Sequence, residues 1–366
     1  MVRRKIRLLL LAGSLLTLGT NCRVSSDCLA LDSFCSTALL AVAYNRPSAF
    51  AYVSNSTVNT VSTYAINDSG QLSAIGTIST GSSPRQIAIH PTNRFAYVAN
   101  LNSNNVSAYA IDQVSGLLTA TGTVAAATGP RSIGIESTGR FAYVVNSGSN
   151  DVSMYTIDKS TGALSPNGTM PAASGAWGIA IDPSGRFVYV PNGNVANVTM
   201  FSIDQNTGVL TSIGTVAAGT QAGYADIDAS GRFAFVGNST AATVSQYSIN
   251  NSTGLLTANG SVVSGASVQG ISAAPKSNFV YAVSQGTNTI WAFSMDQSGL
   301  LSPIGTTPAE AGAVRFAIHP LGNFAYVSNQ TAGSVISYRL NPSSGAITTN
   351  DSVTSPGAFW VAIAYF

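Results

Sequence analysis

Three arginines stand at positions where the surrounding sequence pattern does not require them. Arg85 and Arg131 each follow a proline in the strings PRQIAIHP and PRSIGIES, and Arg315 lies at a similar place in AVRFAIHP. A guanidinium group can bind a carboxylate or a phosphate through two parallel hydrogen bonds. Three of them around one point would therefore recognise an anion. The alternative is that each arginine pairs with a neighbouring loop or a backbone carbonyl.

Asp226, in the string YADIDAS, is the candidate catalytic residue. In the other copies of this string small residues fill the same slot: Ala88, Gly134, Ala180, Ser272, Ala317 and Ala362. A carboxylate in so crowded a place has to be paired, hydrated or protonated. It could act as a general base near the arginines. It could equally accept hydrogen bonds from backbone N–H groups or from an arginine of the next repeat.

The two histidines, in contrast, are expected to be structural. His90 and His319 take the place that Glu136, Asp182 and Asp228 take in other copies, directly before a turn. A slot that accepts all three residue types indicates local hydrogen bonding, so we predict that both histidines cap turns. With no further histidine, neither a histidine-rich metal site nor a Ser–His–Asp triad can be assembled. Oxygen ligands for calcium are plentiful but show no site spacing, and we expect no metal and no cofactor.

The elements that position these residues belong to a repeat of 45 or 46 residues. Each copy starts with Phe, followed two residues later by Tyr or Phe, as in FVYVPN (187–192) and FAFVGN (233–238). Side chains at i and i+2 of a strand point to the same face. A second strand, a turn with Gly, and two further strands complete each copy. The phenylalanines that start the copies are Phe50, Phe95, Phe141, Phe187, Phe233, Phe279 and Phe324.

Four short strands per copy, seven copies and no helical period predict an all-β fold. We expect a seven-bladed β-propeller of four-stranded antiparallel blades over residues 50–366. One blade cannot bury both faces of its sheet, so the same apolar positions must recur in its neighbours. The chain leaves through GAFWVAIAYF (357–366), which follows the innermost-strand pattern and should complete the first blade and close the ring. The segment LLAVAYNRP (39–47) competes for that place.

In a propeller the innermost strands begin at one rim of the central channel. A concave mouth with a few polar groups is the usual form of a binding site, so we predict ligand binding at this rim. The residues that we place there are Arg85, Arg131, Trp177, Tyr224, Gln269, Arg315, Phe359 and Trp360.

The N-terminal residues indicate export. Four cations within residues 3–7 precede an apolar run at 8–19, which is too short to span a bilayer comfortably, and Cys22 follows it. This layout predicts a signal peptide over residues 1–21. It is similar to a bacterial lipoprotein signal, in which the first mature residue is a lipidated cysteine. Simple secretion is the alternative.

The cysteines agree with an oxidising compartment. All three lie in the predicted linker, residues 22–49, and none lies in the repeats. If Cys22 carries lipid, Cys28 and Cys35 remain as an even pair and are predicted to form a disulfide. A metal site would need more ligands than this segment, which has no histidine, can offer.

Composition also bears on location and partners. Only 8% of the residues are charged, which suits a polar, uncharged β-protein outside the cytoplasm. Without the four N-terminal cations, 12 basic and 14 acidic residues remain, so nucleic-acid binding has no electrostatic basis. We expect a monomer in the bacterial cell envelope, lipid-anchored to the outer membrane or facing the periplasm.

The strings YVSN, YVAN, YVVN and YVPN, with PRQIAIHP and IAIDPSGR, resemble two related groups of seven-bladed propellers. One is the lactonase type, which includes bacterial 6-phosphogluconolactonase, and the other is the YVTN-repeat type found on cell surfaces. For the enzymes the resemblance implies His after Pro-Arg and Glu just after YVxN. Here Gln86 and Ser132 stand in place of that His, and Leu101 and Ser147 in place of that Glu. Only the arginines carry over.

Two functions follow from these observations. The first is a membrane-anchored binding or scaffold module at the surface or in the periplasm. It would bind a protein or carbohydrate through polar loops such as 100–105 and 192–197. The second is a lactonase-like hydrolase, similar to 6-phosphogluconolactonase, that uses the three arginines and Asp226 on a lactone or sugar acid. The sequence favours the first, because the expected His and Glu are replaced and titratable groups are scarce.

Overall fold

Residues 47–366 are described by a computed structural model. Their strands form seven four-stranded antiparallel sheets, so the predicted seven-bladed propeller is confirmed. Among residues 47–366 there is no helix that is both long and apolar enough to cross a membrane.

We number the blades in the order of their second strands, and each blade is given from its innermost strand outward. The first four are blade 1, β28 (Ala358–Tyr365), β1 (Ala49–Asn55), β2 (Thr60–Ile66), β3 (Leu72–Ser79); blade 2, β4 (Pro84–Ile89), β5 (Phe95–Asn100), β6 (Asn105–Ile111), β7 (Leu118–Ala125); blade 3, β8 (Pro130–Ile135), β9 (Phe141–Asn146), β10 (Asp151–Ile157), β11 (Leu164–Pro171); and blade 4, β12 (Ala180–Ile181), β13 (Phe187–Asn192), β14 (Asn197–Ile203), β15 (Leu210–Ala217).

The remaining three blades follow the same order. They are blade 5, β16 (Ala222–Ile227), β17 (Phe233–Asn238), β18 (Thr243–Ile249), β19 (Leu256–Val263); blade 6, β20 (Val268–Ala273), β21 (Phe279–Ser284), β22 (Thr289–Met295), β23 (Leu301–Pro308); and blade 7, β24 (Ala313–Ile318), β25 (Phe324–Asn329), β26 (Ser334–Leu340), β27 (Ile347–Thr354).

The C-terminal strand closes the ring. β28 pairs antiparallel with β1, with Tyr52 opposite Ala362 and Val53 opposite Val361. Blade 1 therefore contains both ends of the propeller chain, as predicted. The competing segment 39–47 lies outside the described residues except for Pro47.

Successive blades are held together by an aromatic ring that packs on a glycine. Phe50 of blade 1 packs on Gly116 in the turn between β6 and β7, where a Cβ would come within 2.3 Å of the ring. Gly116 has a φ of 73°, a conformation that glycine adopts without strain. The same pairing joins the other blades: Phe95–Gly162, Phe141–Gly208, Phe187–Gly254, Phe233–Gly299, Phe279–Gly345 and Phe324–Gly70.

A tyrosine hydroxyl reinforces six of these boundaries. Tyr52 donates to the carbonyl oxygen of Gly116 at 2.8 Å, and Tyr189 donates to that of Gly254 at 2.9 Å. Phe235 takes this position in blade 5, so it has no hydroxyl to offer Gly299. The other four pairs are Tyr97–Gly162, Tyr143–Gly208, Tyr281–Gly345 and Tyr326–Gly70.

The variant Phe235→Tyr is expected to raise the free energy of unfolding by roughly 0.5–1.5 kcal/mol. The new hydroxyl would donate to the carbonyl oxygen of Gly299 as its counterparts do in the other blades. Tyr189→Phe is the matched reverse change and should lower the free energy of unfolding by a similar amount. Denaturant titration measures both. A destabilised Phe235→Tyr protein would mean that the boundary between blades 5 and 6 differs in geometry from the rest.

His90 and His319 cap the turns that follow their innermost strands, as predicted. Nε2 of His90 donates to the carbonyl oxygen of Gly139 at 2.9 Å, and its Nδ1 lies 2.8 Å from the hydroxyl of Thr92. Nδ1 of His319 accepts the N–H of Leu321 at 3.2 Å. Burial lowers the pKa of both histidines. They lie at the ends of innermost strands, away from the arginines at the strand starts.

Candidate functional site

The predicted rim residues all lie at or just before the start of innermost strands. Arg85 is in β4, Arg131 in β8 and Arg315 in β24, while Trp177 precedes β12. These side chains therefore surround one end of the central channel. We call the following set the channel site: Arg85, Arg131, Trp177, Tyr224, Arg315, Phe359 and Trp360.

A bulge near the start of the innermost strands shapes this end of the channel. The pairing register shifts between Pro84 and Ile87 in β4 and between Ala313 and Arg315 in β24. A bulge inserts one extra residue and re-aims the adjacent side chains. Consecutive positions of a single strand, such as those of Arg85 and Gln86, can thus both contribute polar groups to the mouth.

Each arginine of the channel site stacks on an aromatic ring from another blade. The Cζ of Arg85 lies 4.3 Å from the ring centroid of Phe359 in blade 1. The remaining two pairs, each separated by 4.5 Å, are Arg131 on Trp177 and Arg315 on Trp360. Stacking fixes the plane of a guanidinium while its edge can still donate hydrogen bonds. The three cations are therefore held in place by rings.

Two aromatic side chains from non-neighbouring blades meet across the channel. Tyr224 of blade 5 and Trp360 of blade 1 have ring centroids 5.7 Å apart at an interplanar angle of 47°. Both are almost fully buried, and they share one apolar cluster with Ile87, Val314 and Phe359. The channel is narrow at this level, and the arginines lie beside an apolar surface.

Polar atoms without a protein partner concentrate in this region. Among residues 47–366, eleven buried side-chain nitrogen or oxygen atoms lack a hydrogen-bond partner. A buried polar group left unpaired costs about 1–3 kcal/mol, which favours a ligand or water at such a place. Six of the eleven lie on or beside the channel site: Nε of Arg85, Arg131 and Arg315, Oε1 of Gln86, Oγ of Ser132 and the hydroxyl of Tyr224.

Gln86 and Ser132 are site residues that we did not predict. Each directly follows an arginine of the channel site, and Ser132 is fully buried. Their positions in the sequence could have identified them as site residues, because both stand where the lactonase resemblance implies a histidine. Neither side chain is an acid or a base at neutral pH, so both are suited to hydrogen bonding.

The arginines create a positive, poorly solvated environment. Burial lowers the pKa of Arg85, and the neighbouring charge of Arg131 lowers it further, while Tyr224 opposes the shift. Burial also lowers the pKa of Arg315, against the effect of Asp226 and Tyr224. An anion bound here would relieve the repulsion between Arg85 and Arg131.

Asp226 links two blades through its carboxylate. Oδ1 accepts the N–H of Ile227, and Oδ2 accepts the N–H of Ala273 in blade 6, each at 3.0 Å. Burial raises the pKa of Asp226, while Arg315 and the two N–H groups oppose this shift. From the other side, Nη1 of Arg315 donates to the carbonyl oxygen of Ile271 at 2.9 Å. Asp226 of blade 5 and Arg315 of blade 7 therefore both hydrogen-bond to the backbone of β20 in blade 6, which lies between them.

Of the predicted rim residues, Trp177 contacts another member of the channel site, whereas Gln269 hydrogen-bonds within its own blade. Nε2 of Gln269 donates to the hydroxyl of Ser267 in its own blade at 3.3 Å. The ring of Trp177 packs on Gly223 of blade 5, where a Cβ would lie 3.4 Å from it. Trp177 thus connects Arg131 to the strand that carries Tyr224.

The part of the chain from residue 47 onward contains no group of three or more His, Cys, Asp or Glu side chains that could hold a metal ion. The predicted lipidation site Cys22 and the predicted disulfide between Cys28 and Cys35 lie outside the described residues.

Comparison with solved structures finds many chains of similar fold. A protein from Bacteroides fragilis, provisionally assigned as a 6-phosphogluconolactonase, is 17% identical with a TM-score of 0.79, and the match covers 87% of this chain and 98% of that one. The periplasmic gluconolactonase of Pseudomonas aeruginosa is 19% identical with a TM-score of 0.76, over 86% of this chain and 99% of that one. At these identities the likeness shows the fold alone.

Sequence comparison adds the family. No curated protein matches the chain. The family described as lactonase, 7-bladed beta-propeller matches residues 32–128, 119–270 and 260–363. Because these matches span most of the sequence, and the structure has the seven blades that they imply, the protein belongs to the seven-bladed β-propeller lactonase family.

Proposed function

We propose that the protein hydrolyses a small sugar-acid lactone at the channel site. The observation that carries this proposal is the gathering of three ring-stacked arginines with unpaired Nε–H groups at one end of the channel, one of which, Arg315, lies beside Asp226. Hydrolysis of a lactone produces a carboxylate, which is the group that guanidinium recognises best. Membership of the lactonase family supports the reaction class.

In the proposed reaction, a water oxygen attacks the carbonyl carbon of the lactone, and the bond between that carbon and the ring oxygen breaks. Asp226 takes a proton from the water and returns one to the departing ring oxygen, which becomes a hydroxyl group. The arginines donate hydrogen bonds to the negative charge that develops on the carbonyl oxygen. The new acid releases its remaining proton to solvent and stays as a carboxylate beside the guanidinium groups.

Binding without turnover is the second candidate. Both oxygens of Asp226 already accept backbone N–H groups, and this bonding favours a structural role for the side chain. Gln86 and Ser132 also stand where the family resemblance implies a histidine. The protein would then be a binding or scaffold module for a carbohydrate or a protein, with the same arginines as its anion-recognising groups.

We further propose that the protein is exported and anchored by lipid at Cys22. The cationic and apolar stretches at 3–7 and 8–19 support this location, as does the low content of charged residues. A sugar-acid lactone outside the cytoplasm would be the matching substrate. The disulfide between Cys28 and Cys35 belongs to the same proposal.

The test is acid release from glucono-δ-lactone and from its 6-phosphate by purified protein, measured against spontaneous hydrolysis. We expect turnover with at least one lactone and a loss of roughly 10²–10³-fold in rate for Arg315→Gln. Arg186→Gln is the matched control, because Arg186 is exposed and stacks on Phe187 at a turn away from the channel site. Gluconate binding with no turnover of either lactone would favour the second candidate.

A further inference from the structure

One turn of the propeller lacks the side chain that caps the others. In blade 4, Oδ1 of Asp182 accepts the N–H groups of Arg186 and Phe187 at 2.7 and 2.6 Å. Asp228 does the same in blade 5, and Glu136 caps the turn of blade 3. In blades 2 and 7 the residue at this position is His90 or His319, whose Nδ1 accepts the N–H of the residue two positions later. Blade 6 has Ala274 at this position, which offers no side-chain acceptor.

The same turn also lacks the arginine that directly precedes and covers the phenylalanine in blades 2 to 5. Arg186 lies 5.2 Å from the ring centroid of Phe187, and Arg232 lies 4.9 Å from that of Phe233. Asn278 takes this place in blade 6. Phe279 is only partly buried, whereas the other six phenylalanines that start the repeats are buried.

The strand pairing around the missing side chains follows that of the capped turns, whereas the turn itself differs at Ser277, which lacks the positive φ of its five counterparts. The N–H of Ala274 donates to the carbonyl oxygen of Phe279 at 2.8 Å, as that of Asp182 does to Phe187 at 3.0 Å. The N–H of Met295 donates to the carbonyl of Asn278 in the register used by the other blades. Asn278 and Phe279, the counterparts of the two residues whose N–H groups bond to Asp182 in blade 4, line a cavity at this turn.

A cavity of about 210 Å³ opens at this place, between the turns of blades 5 and 6. A water molecule takes up about 30 Å³ and drug-sized ligands occupy roughly 300–1,000 Å³, so the cavity suits a ligand of a few heavy atoms. Arg232 and Lys276 line it with two positive charges. Asp228 also lines it, but its carboxylate accepts hydrogen bonds from its own turn, at Ser230 and Arg232.

We propose that this cavity binds a small organic carboxylate, which takes the place of the absent aspartate side chain. Its oxygens would accept the N–H groups of Asn278 and Phe279, and the charges of Arg232 and Lys276 would favour an anion. The site lies at the opposite end of the innermost strands from the channel site. It shares no arginine with the channel site, and its one link to the proposed base is Ala273, which lines the cavity and donates its N–H to Asp226.

The experiment compares thermal unfolding in sodium acetate and in sodium chloride at equal ionic strength and pH 7. Acetate at tenfold above its Kd should raise the Tm of the wild-type protein by roughly 2 °C relative to chloride. Ala274→Asp places the carboxylate inside the protein and should abolish this rise. Arg315→Gln should keep it, because Arg315 belongs to the channel site.

A second variant covers the case in which the turn of blade 6 cannot accommodate the aspartate introduced at position 274. The five equivalent turns have Gly or Asn93 at positive φ where blade 6 has Ser277, which is not in that region. Ala274→Asp with Ser277→Gly restores both features of the repeat. Equal acetate responses in this double variant and in the wild type would overturn the proposal. So would amide resonances of Asn278 and Phe279 that stay unchanged as acetate is added.

Discussion

Replacing Asp226 by Asn is expected to reduce lactone hydrolysis by roughly 10²–10⁴-fold, the usual contribution of a general base. The carboxylate lies beside Arg315 and has a raised pKa, so its ionised form is a stronger base than an ordinary aspartate. As the pH falls through this raised pKa, the carboxylate takes up a proton and the wild-type rate should fall with it. The Asn variant should lose this limb of the pH–rate profile.

The same variant tests whether Asp226 is structural. The amide nitrogen of Asn would face the N–H of Ile227 or of Ala273, so one hydrogen bond is lost and the free energy of unfolding should fall by roughly 1–3 kcal/mol. Because the pKa is raised in the folded state, Asp226 contributes stability at low pH that is lost as the pH rises through the folded pKa. The deficit of the Asn variant should therefore shrink at higher pH. Full activity in a destabilised variant would rule out Asp226 as the base.

Deleting residues 357–366 is expected to abolish cooperative unfolding at the parental temperature. These residues supply the whole innermost strand of blade 1, including the buried Phe359, Trp360 and Val361. Each large side chain contributes roughly 1.5–3 kcal/mol on burial, and their sum approaches the margin of about 5–15 kcal/mol that stabilises a typical domain. Calorimetry or circular dichroism during heating measures the transition.

Deletion of residues 39–46 is the matched control, since this segment carries the competing innermost-strand pattern. It should leave the transition unchanged, because β28 already occupies that place in blade 1. Cooperative unfolding of the C-terminal deletion variant at the parental temperature would contradict this account of ring closure.

The fold was predictable because its packing repeats. Phe50 and Gly116 have counterparts at every blade boundary. The number of repeats in the sequence therefore predicts the number of blades. The closing strand was predictable for the same reason, because GAFWVAIAYF fits the innermost-strand pattern. The hydrogen bond from each Tyr hydroxyl to a Gly carbonyl oxygen could not be predicted from the sequence. It joins residues that are 64 or 65 positions apart, or 256 positions apart where the ring closes.

The site was predictable only in part. The arginines stood out as departures from the repeat, and the structure gathers them at one end of the channel. Their stacking on rings was not predicted, because each ring belongs to another blade. The contact between Tyr224 and Trp360 depends on the curvature of the closed ring, which brings blade 5 towards blade 1. Gln269 also lies near the start of an innermost strand, yet its side chain hydrogen-bonds to Ser267 in its own blade.

The most direct test of the channel site is calorimetric titration of gluconate into the wild-type protein and into Arg85→Gln, Arg131→Gln and Arg315→Gln. A hydrogen bond to a charged group contributes about 1.5–3 kcal/mol, so each substitution should weaken binding by roughly 10–100-fold. Arg186→Gln should leave the Kd unchanged. Gluconate affinities that are equal in all four variants and the wild type would contradict the assignment of this site.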